Sequence, residues 1–244
     1  MFHDFILEHR SISVKMVAMA TKTQRAERRT DALSKERIVE AAIDILDADG
    51  EGALTFRALT ARLATGAGAI YWHVANKGEL LAATTNDVIA RVMAELDRGA
   101  QPREAIRAIA VGVFDALDAH PWVGAQLSRE PWHSAMLQIF EGFGEQLEAL
   151  GVPPRAQFDC ASALVNYILG LAGQYAAGAR LVPPGTDRTA FLASVAAQWA
   201  QLDEAEYPFL LRVAGQLPGH DDREQFLAGL NLILAGIAAT RDVS

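Results

Sequence analysis

The chain has 244 residues, of which 51% are hydrophobic and 21% charged, with one cysteine and a formal net charge of -8. This length buries a sizeable core, as one large domain or as a small domain joined to a medium one. The lone Cys160 excludes an internal disulfide and fits a reducing cytoplasm. An evenly spread negative charge would argue against nucleic acid, but the charge is uneven. Residues 10–37 hold eight Lys or Arg against three Asp or Glu, and residues 102–244 hold nine against sixteen. That asymmetry predicts a basic end that meets phosphate and an acidic body that does not.

Residues 1–31 show no periodicity and end in TKTQRAERRTD, which reads as a mobile basic arm, with Met16 and Met19 as alternative starts. MFHDFILEHR lacks the basic start, apolar run and cleavage site of a secretion signal. From Ser34 the apolar residues Ile38, Ala41, Ala42, Ile45 and Leu46 recur at helical spacing, so a first amphipathic helix is expected, closed at Gly50. Thr55 then caps FRALTARLA, a small-residue turn follows at Thr65 to Ala67, and a second short helix runs from about Gly68 to Val74. Asn76 caps a long helix that begins KGELLAATTNDVIARVMAEL. Four helices therefore fill residues 34–97, and DRGAQP marks a boundary before a second domain over 98–244. Seven more helices are expected there, over 102–119, 121–129, 131–150, 154–181, 187–202, 206–217 and 221–240. The fold class is all-α. No apolar stretch approaches the roughly 20 residues that span a bilayer, so no membrane partner is expected.

Two short helices joined by a tight turn are what a helix-turn-helix needs, the first bracing on the DNA backbone and the second entering the major groove. LTFRALTARLATGAGAIYWHVANKGELL resembles the DNA-binding signature of tetracycline-repressor-type (TetR) regulators without a gap from Leu54 through Leu80, and IYWHVANKGELL is its most specific part. Helix order and length suit that family across residues 34–244. The resemblance implies that Thr55 and Lys77 hold phosphates on either side of the groove and that Arg57 reaches a base or a phosphate. It also implies that Tyr71 and His73 donate to phosphates while Trp72 packs on the sugar-phosphate edge; as plain packing groups, these three would fill the head instead. Thr65, Ala67, Gly68 and Ala69 open the recognition helix, where the family usually presents polar side chains, and they offer few base-reading groups beyond an Ala69 contact to a thymine methyl.

In the second domain no nucleophile-and-base pair, metal cluster or phosphate loop appears, so no catalysis, cofactor or metal is expected. His120 and His133, beside Trp122 and Trp132, read better as helix ends and core than as ligands. Phe114, Trp122, Met136, Phe140, Asn166, Tyr167 and Gln174 set aromatic and polar groups among apolar helices, the composition of a small-molecule pocket. Asn166 matches a family position that faces the effector, and a neighbouring helix would satisfy it equally well. Met93 and Gln126 stand where drug-binding members use histidines, which argues against tetracycline itself. On the last helix, Phe226, Leu230, Ile233 and Ile237 form a stripe with Gly229 and Gly236 beside it, expected to pair with a second copy together with the 154–181 helix. The expected molecule is a homodimeric repressor on a near-palindromic double-stranded operator, released by a small apolar or aromatic effector. The alternative is an all-helical binding protein or enzyme with a vestigial helix-turn-helix.

Overall fold

In the computed structural model, residues 33–97, 99–129, 134–181 and 187–240 are described, with side chains 175–181 set aside. The expected arm over 1–31, His133, Trp132 and most of the LVPPGTD loop lie outside them.

The described residues form eleven α-helices, one 3-10 segment and no strand: α1 Lys35–Asp49, α2 Phe56–Leu63, α3 Ala67–Tyr71, α4 Lys77–Ala94, α5 Pro102–Ala119, α6 Pro121–Arg129, α7 Ser134–Ala149, α8 Pro154–Leu181, α9 Arg188–Trp199, α10 Pro208–Val213 continued by the 3-10 turn Ala214–Gly219, and α11 Asp222–Thr240. The bounds differ from the sequence-based ones mainly at α3 and α9, each of which ends three residues early, and at α10, where Pro218 falls in a tightened turn.

The caps follow the side chains. Ser34 accepts from the Arg37 amide at 3.3 Å and Thr55 from the Ala58 amide at 3.1 Å. Asn76 accepts from the Glu79 amide at 2.9 Å while the Glu79 carboxylate reaches back to the Ala75 amide at 2.8 Å, a reciprocal cap for α4. Gly50 ends α1 at φ 76°, a left-handed conformation that glycine adopts without steric cost. Ala64 sits between α2 and α3 at φ 49°, ψ 44°, at a cost of roughly 1–2 kcal/mol for an L-residue, and this turn swings α3 across α2.

Helices α1 to α3 and the start of α4 close on Ile38, Leu46, Leu54, Leu59, Ile70, Val74 and Leu80, all essentially without solvent exposure. This is the reading head. Helix α4 continues out of it to pack against α5 and α7, and α5, α7, α8 and α11 surround the second core of Ile106, Ile109, Val113, Ile139, Phe143, Leu164 and Phe226. Gly142 lets α7 approach α4, because a Cβ there would meet Met93 Cε at 2.4 Å.

Helix α11 corrects the expected dimer stripe. Phe226, Leu230 and Ile237 are buried within their own chain, with the Phe226 ring stacked on Phe114 at 4.1 Å, and Ile233 is partly buried against the same core. Gly229 likewise receives Tyr167 from α8, which a Cβ would strike, and Tyr167 donates to the Phe226 carbonyl at 3.1 Å. The broad apolar stripe is spent on α5 and α8, and the exposed face is the opposite one, with Ala228, Leu232 and Ala235.

Candidate nucleic-acid interface

The head presents one outward surface made from the N-terminus of α2, all of α3 and the N-terminus of α4. Helix α2 buries Leu59 and turns Arg57 to solvent, since residues two apart on a helix point in different directions. The Thr55 hydroxyl oxygen is occupied by the Ala58 amide, and its proton remains available to an acceptor outside the chain. Helix α3 buries Ile70, which leaves Ala67, Gly68 and Ala69 exposed and Thr65 half-buried in the turn. A Cβ added to Gly68 would meet no protein atom within 4 Å.

The aromatic segment divides by what each ring touches. Tyr71 stacks on Phe56 with centroids 4.4 Å apart and planes 11° off parallel, so its ring braces α3 on α2 while its edge stays in solvent. Trp72 is 87% exposed, a large apolar surface open to solvent among the described residues. His73 is half-buried at the end of the α3 turn. Lys77 opens α4 and donates from Nζ to the Glu51 carbonyl at 2.6 Å, so the ammonium is tethered at the edge of this surface with two donors left over. Thr55, Arg57, Tyr71 and Trp72 are exposed, and His73 and Lys77 are half-buried.

The body grips the head from behind. Asp47 at the end of α1 accepts from the Trp122 indole at 2.7 Å and bonds His120 Nδ1 at 2.8 Å. Glu51 accepts from Arg129 at 3.0 and 2.9 Å and from Gln126 at 3.2 Å, all on α6. Sequence reasoning placed Trp122 in a ligand pocket, but it serves this seam. The signal that could have located it, an acid one turn from the end of α1, is indistinguishable from an ordinary solvated aspartate.

Of the remaining residues expected in a pocket, Phe114 and Tyr167 meet at Phe226, on which both rings stack. Phe114 and Met136 are buried in the body core, Phe140 stacks loosely on Phe158 at 6.2 Å, and Tyr167 reaches α11, where burial pushes its phenol up. Asn166 and Gln174 lie on the exposed face of α8. A single asparagine in an apolar helix marks an outward face as readily as a cavity wall. Two cavities among the described residues have other linings. One of about 470 Å³ lies between α4, α5 and α7, walled by Met93, Leu96, Ile109 and Gly142 with Glu145 and Gln146. A larger groove of about 660 Å³ runs between α1, α4 and α5, past Val88, Val92, Val111 and His120. Among the described residues no group of three His, Cys, Asp or Glu could hold a metal ion, and no helix is long and apolar enough to cross a membrane.

Comparison with known proteins agrees with this architecture. Residues 38–84 match the model of bacterial regulatory proteins of the tetR family, and residues 97–241 match the tetracyclin repressor-like C-terminal domain. A TetR transcriptional regulator from Streptomyces coelicolor superposes with a TM-score of 0.79 at 48% identity, covering 86% of this chain and all of that one. An HTH-type transcriptional regulator of Saccharopolyspora erythraea is 29% identical over 90% of both chains. The TetR family protein ActR of Streptomyces coelicolor, in complex with actinorhodin, superposes with a TM-score of 0.71 at 25% identity over 85% of this chain and 96% of that one. With both halves of the family's architecture matched in order, and an outward helix-turn-helix gripped by a helical body, the chain belongs to the TetR family of DNA-binding transcriptional regulators.

Proposed function

We propose that the protein is a homodimeric repressor that holds a near-palindromic operator through two reading heads and releases it when a small apolar or aromatic molecule enters the body. The observation that carries this reading is the outward face of the head. Thr55, Arg57, Tyr71, His73 and Lys77 bring hydroxyl, guanidinium, phenol, imidazole and ammonium groups to one surface that their own fold leaves open, and phosphate needs such donors. Ala67, Gly68 and Ala69 keep α3 slim enough to lie deep in a groove, and Ala69 meets a thymine methyl there.

The dimer forms through the exposed faces of α8 and α11, where Ala163, Asn166 and Gly170 lie on one helix and Ala228, Leu232 and Ala235 on the other. Leu232, 76% exposed, is the apolar anchor. The effector occupies the cavity between α4, α5 and α7, where Met93, Leu96 and Ile109 offer apolar contact and Asp97, Glu145 and Gln146 polar partners; a relative in complex with actinorhodin supports a ligand in the body. Because α4 is both a wall of that cavity and the last helix of the head, a ligand that prefers a displaced α4 changes the spacing of the two heads, by no more than its differential affinity for the two states allows.

The test is a fluorescence-anisotropy titration against the DNA flanking the protein's own gene, beside a scrambled duplex, at two salt concentrations. Preference for the flanking DNA that survives higher salt and is lost in the double variant Arg57→Ala, Lys77→Ala is the expected result. Equal, salt-sensitive binding to both duplexes, or none, refutes the repressor reading and leaves the body cavity as the seat of function.

A further inference from the structure

Glu51 is held at both ends by different parts of the molecule. Its carboxylate receives both Arg129 bonds and the Gln126 bond from α6, and its carbonyl receives Lys77 Nζ at 2.6 Å and the Leu54 amide at 3.3 Å. Gly50, at φ 76°, ends α1 immediately before it, so Glu51 sits in a turn rather than in a helix that would fix its carbonyl. One Arg129 nitrogen, Nη1, bridges both carboxylate oxygens, and the Gln126 amide adds a third contact from the same helix. The carbonyl in turn gives a long, flexible lysine one firm anchor, and being neutral it leaves the ammonium charge whole.

From this juxtaposition we propose that Glu51 is a positioning residue for DNA binding, its carbonyl aiming Lys77 at a phosphate and its carboxylate placing that aim under the control of α6. The inference rests on the reading of Lys77 as a phosphate contact. Asp47, bonded to Trp122 and His120, pins the end of α1 to the start of α6 and leaves the turn at Glu51 as the compliant link. A shift of α6 then moves the turn, and the turn moves the ammonium.

Charge alone and positioning predict opposite signs, which makes the inference testable without an effector. Glu51→Ala removes a negative charge beside the DNA face, so electrostatics by itself tightens binding. Positioning predicts that Glu51→Ala weakens it by about three- to tenfold and flattens the dependence of affinity on salt by about as much as Lys77→Gln does, close to 0.9 per lost phosphate contact. Glu51→Gln removes the same charge but keeps an acceptor for Arg129, and is expected to recover most of the affinity. Arg129→Ala weakens the otherwise wild-type protein but costs nothing further in the Lys77→Gln background. The measurement is anisotropy on the gene-flanking duplex and on a scrambled duplex of equal length, with thermal melting as a check that each variant folds. Glu51→Ala binding as tightly as wild type or tighter, or Arg129→Ala and Lys77→Gln adding in full, overturns the proposal while leaving the repressor reading intact. A Lys77→Gln variant with unchanged affinity and salt dependence overturns it together with the phosphate role of Lys77. Equal binding to the two duplexes refutes the repressor reading and not this inference, because the same comparisons then stand on the scrambled duplex.

Discussion

The reading head and the layer formed by α9, α10 and the 3-10 turn are built on opposite terms. The head seals at least six side chains from solvent within about sixty residues and needs nothing outside the chain to complete its core. The α9 and α10 helices bury none of their residues, and Phe191, Leu192, Val195 and Trp199 stay partly exposed while α9 packs mainly on the 3-10 turn beside it. A segment that leaves this much apolar surface open is stable as part of a larger assembly, whereas a sealed core stabilises itself. The head core is sealed within its own helices, and the α9–α10 layer leaves apolar side chains partly open.

Three substitutions break or sharpen that contrast. Leu59→Ala empties the centre of the head and is expected to cost about 2–5 kcal/mol; by differential scanning calorimetry a separate low-temperature transition for the head should appear while the body transition holds. One unchanged transition would mean that the head draws its stability from the body. Leu232→Arg places a charge on the exposed face of α11, where the protomer loses almost no packing. Light scattering should show the molecular mass halved, and an unaltered mass would place the dimer interface elsewhere. Gly68→Ala is the smallest change and carries the most telling pair of signs. No protein atom lies within 4 Å of the new methyl, and the helix gains up to about 1 kcal/mol from replacing glycine. Stability should rise while affinity for the flanking duplex falls, and a rise in both would show that DNA never comes close to α3.

The all-α class and the reading head were legible because each signal is local. Ser34, Thr55 and Asn76 cap the helices that their side chains predict, and the spacing of Ile38, Ala42, Ile45 and Leu46 names the buried face directly. The body was less legible for a physical reason. From Phe226 onward α11 is mostly apolar or small, so periodicity alone does not separate the side facing its own core, where Phe226, Leu230 and Ile237 are buried, from the exposed side. At Trp122 the sequence shows an indole that needs an acceptor without saying where the acceptor lies. The partner of Trp122 lies 75 residues away on α1. The cavity walls at Met93, Ile109 and Gly142 emerge only where three helices meet, and no stretch of sequence contains that meeting.

Trp72 and Trp122 have one more consequence. An indole in water emits at long wavelength, and one transferred to a drier or stacked setting emits at shorter wavelength or is quenched. Trp72 stands almost wholly in solvent at the tip of the head, and Trp122 is buried and bonded to Asp47 where head and body meet. The protein therefore carries its own optical gauges, one at the tip that changes colour when a surface closes over it and one at the seam that changes when the two parts shift.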